Sequence, residues 1–341
     1  MTVNYSDIQA ARQRIQTVVS NTPIVSSQRL NAWLSEHLPA NQRHTILFKA
    51  ECLQKTGAFK LRGASNFVST LIEQKRKPNQ IVANSSGNHA QAVAYTAANN
   101  GIPASIFAAQ NISPIKAAAT RSYGAELHLF KTRPEADKAV QQASENQGTV
   151  WIPPFNHPYI IAGQGTAVDE AFDDIENIDA VFAPCGGGGL VSGSLITARA
   201  RSSITQVFGV EPLAANDAAE SLRVGKIQSL TGPAKTLADG AATPSVGEFT
   251  FPWLQQLDGF YEVDENAICY WTQWLHHLLK LHIEPTCCMT MQAVAQYLAK
   301  QASAQTVLVV LSGGNISVSS MQTVYDTDHL LTEPHIEIFK Q

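Results

Sequence analysis

The sequence has no stretch approaching the ~18 uninterrupted apolar residues that a membrane span needs, and Met1–Ser20 lacks an apolar core of signal-peptide length. A cytoplasmic chain with no membrane partner is the expectation. Charge is sparse, with Asp, Glu, Lys and Arg making up 15% of the residues. No block of roughly five or more like charges marks an interaction tail. A net charge of −4 supplies no basic face, which excludes nucleic acid as a partner. Cysteine is also scarce: the five residues Cys52, Cys185, Cys269, Cys287 and Cys288 are odd in number and lack zinc spacing. Cys287 and Cys288 are adjacent and poorly placed for an ordinary disulfide, so a reducing compartment is expected. Internal repeats and low-complexity linkers are missing as well.

What remains is an ordinary globular composition, 44% hydrophobic over 341 residues, enough for one large or two medium domains. Met1–Ser20 reads as a polar amphipathic helix. Strands are expected at Gln80–Ala83, Ala104–Ala108 and Glu126–Phe130, with helices at Ala90–Ala98, Pro114–Tyr123 and Pro134–Asn146 between and after them. The alternation resumes with a helix at Gly165–Phe172, a strand at Ala180–Pro184 and a helix at Leu190–Arg199. Strands at Val207–Val210 and Thr306–Leu311 follow, separated by a helix over Ile268–Leu281. Short Gly, Pro and Asn links between alternating elements imply right-handed crossovers and parallel sheets. The two regions predict two lobes, and a cleft between lobes is a usual place for a small ligand.

Four segments carry candidate chemistry. In Lys55–Ala64 (KTGAFKLRGA), Lys60 has apolar neighbours on both sides, and an amine held against apolar surface is pushed towards its neutral, nucleophilic form. A solvated helix lysine fits the same letters. Ser85–Gln91 (SSGNHAQ) follows a strand and opens a helix, where free N–H groups can hold a carboxylate; a simple helix cap is the alternative. Gly186, Gly187, Gly188 and Gly189 follow another strand. Four residues without side chains let the backbone close on a bulky anion, a phosphate cup that is neither a Walker A loop nor a GxGxxG fingerprint. Ser312-Gly313-Gly314-Asn315 ends the last apolar strand, placing a hydroxyl where it could meet a ligand ring or merely end the strand.

These segments, together with Thr22-Pro23, Tyr123–Glu126, Ile161–Thr166, Gly209–Pro212, Ala238–Gly240 and Ile283–Thr286, run through most of the chain in one order. They resemble the fold-type II pyridoxal-phosphate enzymes, in particular the serine/threonine dehydratase and serine racemase branch. The resemblance implies an α/β fold of two open parallel-sheet lobes, tryptophan synthase β-like, with pyridoxal 5'-phosphate in the cleft between them. Residues 1–68 with 157–341 would form the large cofactor-binding domain, and 69–156 a small mobile domain that grips the substrate. It implies that Lys60 forms the Schiff base, Phe59 packs beside the cofactor ring, and Asn88 bonds its ring hydroxyl. Gly186–Gly189 would hold the phosphate, Ser312 would face the pyridine nitrogen, and Asn156 would lie near the cofactor. Ser85, Ser86, Asn88 and His89 resemble the loop that grips the substrate carboxylate. A neutral hydroxyl at Ser312 does not keep the ring nitrogen protonated, which favours loss of a β-leaving group over transamination.

The implied reaction is α-proton abstraction by Lys60 and β-elimination from L-serine, L-threonine or threo-3-hydroxyaspartate, giving a 2-oxo acid and ammonia. The proton for the departing hydroxyl would come from the cofactor phosphate. A serine or aspartate racemase, alone or as part of a bifunctional enzyme, is the alternative, with Ser86 opposite Lys60 as the second acid–base group. A non-catalytic amino-acid-binding protein is a remote third reading, and a sulfur-transferring synthase of the wider superfamily a fourth. Glu211, Ala215 and Asp217 keep the spacing at which the racemase branch binds Mg²⁺, Mn²⁺ or Ca²⁺, and oxygen-only donors suit such hard cations. Two departures stand out: Ala58 replaces the usual serine, and Cys287-Cys288 replaces smaller residues beside the implied pocket. The chain after Asn315 is too short for a regulatory domain, which argues against a feedback-controlled biosynthetic threonine dehydratase. Family habit implies a homodimer.

Overall fold

A computed structural model describes residues 2–110 and 112–339. Helix α1 (Tyr5–Ile15) opens the chain, with Asn4 and Asp7 forming a reciprocal capping box and Ile8, Ala11 and Ile15 buried along one face. It is followed by β1 (Ile24–Ser26), α2 (Gln28–Trp33), β2 (Thr45–Lys49) and α3 (Lys60–Glu73). Next come β3 (Gln80–Asn84), α4 (Asn88–Asn99), β4 (Ala104–Ala109), α5 (Pro114–Ser122), β5 (Glu126–Phe130), α6 (Arg133–Ser144) and β6 (Thr149–Trp151). The chain then continues through α7 (Pro158–Asp174), β7 (Ala180–Pro184), α8 (Gly189–Arg201), β8 (Gln206–Pro212), α9 (Asp217–Val224), β9 (Gly259–Val263) and β10 (Thr306–Val310).

The strands form two sheets. One has six strands in the order β1-β2-β10-β7-β8-β9, the other four in the order β5-β4-β3-β6. All pairings are parallel except β1 with β2, which is antiparallel. The two parallel-sheet lobes are as expected, with one antiparallel strand added at the edge of the larger sheet. β1 lies at the edge of the sheet and pairs with β2 alone. The central strands β7 and β10 are almost wholly buried, as strands covered on both faces must be. The stacked rings of Phe182 and Phe208, with centroids 4.7 Å apart, fill the larger core.

Helix α7 begins seven residues before the expected Gly165. Gly163 and Gly165 look like helix breakers in the sequence but are contact points. A Cβ on Gly163 would lie 2.7 Å from the carbonyl oxygen of Arg62, and one on Gly165 would lie 2.9 Å from that of Gly193. Packing of α3 and α8 against α7 thus overrides the low helix propensity of glycine.

Beneath α3 lies a fully buried ion cluster. Arg62 Nε donates to Glu51 at 2.8 Å and Arg62 Nη1 to Glu170 at 2.7 Å, while Lys49 Nζ donates to Glu170 at 2.8 Å. Burial alone would lower the affinity of Arg62 for its proton; the two carboxylates outweigh it and hold the guanidinium charged. Two cations and two anions balance one another out of contact with solvent, and they tie the first turn of α3 to β2 and α7.

Candidate active site

The carboxyl ends of β3, β7 and β10 and the start of α3 converge on Lys60. Its side chain is partly buried, its Nζ donates to the carbonyl oxygen of Pro154 at 2.7 Å, and it lies 5.2 Å from the centroid of the Phe59 ring. Burial lowers its pKa from 10.5 to about 8, so a neutral amine is within easy reach. The solvated-lysine alternative is thereby set aside. Phe59 is stitched to the end of β10 by its N–H, which donates to the carbonyl of Ser312 at 3.0 Å, and Ser312 itself is buried.

The loop from β3 to α4 leads to His89, which lies near enough to Lys60 to feel its charge. No side chain caps α4. The Ser85 hydroxyl accepts from the N–H of Gly87 at 3.1 Å instead, and Ser86 is half-buried. The simple cap anticipated as the alternative is therefore not built, and a 12-residue helix presents an uncapped positive end. His89 is buried, with Nε2 2.9 Å from the carbonyl of Ile152. Burial first, and then the charge of Lys60, push its pKa down to about 3, so it stays neutral and serves packing and positioning. The Asn88 amide is fixed at both ends: Nδ2 lies 2.9 and 3.1 Å from the Glu284 carboxylate, and Oδ1 accepts from Asn315 Nδ2 at 2.8 Å.

The glycine loop is a cradle that side chains would fill. A Cβ on Gly187 would meet the Phe155 ring at 2.2 Å, and one on Gly186 would meet the Gly240 carbonyl at 3.2 Å. Gly188 holds φ at +90°, in the left-handed region, and a Cβ there would press on Thr250 at 2.9 Å. Thr250 Oγ1 donates to the Gly187 carbonyl at 2.7 Å, and no side chain caps α8. Asn156 is drawn to the same wall, its Oδ1 accepting from the N–H of Phe249 at 2.8 Å. An uncapped helix start, a bare backbone cup and an amine poised near neutrality fit a phosphorylated aldehyde.

A profile of the pyridoxal-phosphate dependent enzymes matches residues 15–313. The chain belongs to that family. Pyridoxal phosphate is accordingly the cofactor of this enzyme. It is 38% identical to the L-threo-3-hydroxyaspartate ammonia-lyase of Saccharomyces cerevisiae, over 94% of this chain and 95% of that one. With the serine racemase of Schizosaccharomyces pombe it shares 36% identity over 92% and 94% of the two chains. The crystal structure of the T.th. threonine deaminase superposes with a TM-score of 0.83 at 39% identity, covering 92% of this chain and 98% of that one. The two-lobed α/β fold is that of the fold-type II members.

The acidic residues stand at the end of β8 and the start of α9. Glu211 ends β8 and accepts from the N–H groups of Ala218 and Ala219 at 3.2 and 2.7 Å. Ala215 is buried beside it, and Asp217 opens α9. Both Asp217 carboxylate oxygens are buried without a well-formed hydrogen bond among the described residues, although the N–H groups of Asp217 and Val246 lie near enough to offset part of the cost. Burial, then the neighbouring acids Asp217 and Glu262, push Glu211 up to about 9, and burial pushes Asp217 up to about 7. Among the described residues no three His, Cys, Asp or Glu side chains cluster, so a cation there would rely on two carboxylates and a backbone carbonyl. Orphaned carboxylate oxygens with only oxygen donors nearby fit a hard cation.

Cys287 and Cys288 are fully buried, and the Cys287 thiol donates to the carbonyl of Glu284 at 3.1 Å. They fill space behind the pocket wall as small apolar groups do. Reading the sequence missed Pro154, Phe155, Lys116 and the roles of Asp239 and Glu284. The last two stood inside quoted segments, where charged residues flanked by glycine or proline were the available signal; nothing marked Phe155.

Proposed function

We propose that this enzyme is an ammonia-lyase that converts a small β-hydroxy amino acid, L-serine, L-threonine or threo-3-hydroxyaspartate, to a 2-oxo acid and ammonia. The observation that carries the reading is the uncapped start of α4, whose His89 feels the charge of the near-neutral Lys60 amine, in a chain similar along almost its whole length to such a lyase. Lys60 would bond pyridoxal phosphate, Gly186–Gly189 would hold its phosphate, and Phe59, Asn88, Asn156 and Ser312 would surround its ring; the cofactor would supply an electron sink for charge at the substrate α-carbon. The N–H groups at the start of α4, flanked by Ser85, Ser86 and His89, bind the substrate carboxylate. Once the substrate amine has displaced it, the freed Lys60 Nζ removes the α-proton as general base. The β-hydroxyl departs, and water converts the released enamine acid to the 2-oxo acid and ammonia.

Borohydride reduction and peptide mapping should place the cofactor label on Lys60, and ammonia release from the three substrates identifies the preferred one. A label elsewhere, or none, overturns the reading. Racemisation of serine or aspartate is the second reading, favoured by the half-buried Ser86 hydroxyl on the substrate loop and by the similarity to serine racemases. It requires D-serine by chiral chromatography, lost in Ser86→Ala while elimination persists.

The four-stranded sheet, whose strands fall between Gln80 and Trp151, supports residues 69–156 as a small substrate-gripping domain moving on the remainder. Five free cysteines support a reducing, cytoplasmic setting, and a homodimer is the assembly we expect. Glu211, Ala215 and Asp217 would hold Mg²⁺, Mn²⁺ or Ca²⁺. An unchanged melting temperature and activity in EDTA would rule that out.

A further inference from the structure

Lys116 is a lysine with no role in the scheme above, yet it is 5% exposed. It sits on α5, in the lobe of the four-stranded sheet, and its Nζ reaches residues of the other lobe. It donates to Asp239 at 2.6 Å and stands 4.0 Å from Glu284. Glu284 is 2% exposed and spends its carboxylate on Asn88 Nδ2 and on the N–H of Asn315, 3.1 Å away. A Cβ on Gly313 would lie 2.5 Å from Glu284 Oε2, so the carboxylate is wedged against the turn after Ser312. Asp239 precedes Gly240, whose carbonyl faces Gly186 of the glycine cradle. One ammonium therefore joins three walls of the cleft: the cradle, the turn at the end of β10 and the first residue of α4.

We propose that Lys116, Asp239 and Glu284 are positioning residues that clamp the two lobes together and fix the Asn88 amide in the cofactor cleft. The inference rests on the cofactor reading given above. Burial raises Glu284 to about 7, with Lys116 opposing the rise and Asp239 adding to it, so Lys116 is the cation that favours the ionised form of this carboxylate. Without Lys116 the carboxyl takes up a proton more readily, one of its oxygens becomes an O–H donor, and the Asn88 amide keeps only the weaker, uncharged carbonyl oxygen as acceptor. The Lys116 ammonium is also the only charge in this group that belongs to the four-stranded lobe, so its removal unties the clamp.

The test titrates pyridoxal phosphate into wild type, Lys116→Met, Glu284→Gln and the double variant, following cofactor fluorescence and the visible band of the lysine-bound cofactor. Far-UV circular dichroism serves as a control for folding. Lys116→Met should bind about tenfold more weakly with a shifted band, and the double variant should bind no worse than Lys116→Met alone, because both act through one carboxylate. Wild-type affinity and band in Lys116→Met, or fully additive losses, overturn the proposal. Should Lys116→Met fail to fold, Asp239→Lys decides, since this exposed side chain tolerates replacement. Weakened binding supports the clamp and wild-type binding refutes it. Borohydride labelling of Lys60 in the wild type keeps the two readings apart: its absence sinks the cofactor assignment, while its presence with wild-type affinity in the variants sinks only the clamp.

Discussion

The amine of Lys60 and the backbone carbonyl of Pro154 meet at 2.7 Å, although 94 positions separate them in the chain. The carbonyl holds the amine in the cleft without adding a charge, so burial alone governs its pKa. Replacing Lys60 by Ala should leave the melting temperature close to wild type and reduce ammonia release by about a thousandfold or more, the scale of a lost general base or nucleophile. Steady-state kinetics with thermal unfolding as the control checks this.

Gly187 and Phe155 should behave as a coupled pair. Gly187→Ala forces a methyl group into the Phe155 ring and should cost about 1–3 kcal/mol, the usual penalty of overpacking. Adding Phe155→Ala should recover part of that loss. Urea unfolding of the two single variants and the double variant measures the coupling; strict additivity would show that the ring does not close the cradle.

Arg62 holds two buried carboxylates, Glu51 and Glu170. Arg62→Met leaves both beside Lys49 alone and should destabilise the fold by about 3–5 kcal/mol. Chemical denaturation should also show that the loss shrinks in the triple variant that replaces Glu51 and Glu170 by Gln, since the uncompensated charges are then gone.

Acid sensitivity should arise in part at His44. Its Nδ1 accepts from the N–H of Gln305 at 3.1 Å, which leaves the proton on Nε2, a buried atom without a partner among the described residues. Burial and then His37 lower its pKa from 6.5 to about 4. The unfolded chain therefore binds this proton first as the pH falls. The stability is intact above 6.5 and is lost between 6.5 and about 4, at about 1.4 kcal/mol for each unit between the two values. Melting temperatures across this range should fall less steeply in His44→Gln.

Much of this protein is written in short stretches of sequence. The alternation of strands and helices, the four glycines after β7 and the lysine among apolar neighbours are local patterns, because hydrophobic period, chain flexibility and side-chain type act over a few residues. The first turns of α7 escaped the reading, since its glycines are explained only by the helices pressed against them. The antiparallel edge strand escaped it too, three residues being too few to carry a pattern. The tertiary structure alone decided which distant groups share a dry space. Glu284 meets Asn88 across 196 positions, Lys116 meets Asp239 across 123, and Arg62 meets Glu170 across 108. A buried charge must find its counter-charge wherever the fold brings one, and the linear order of residues does not say where that is.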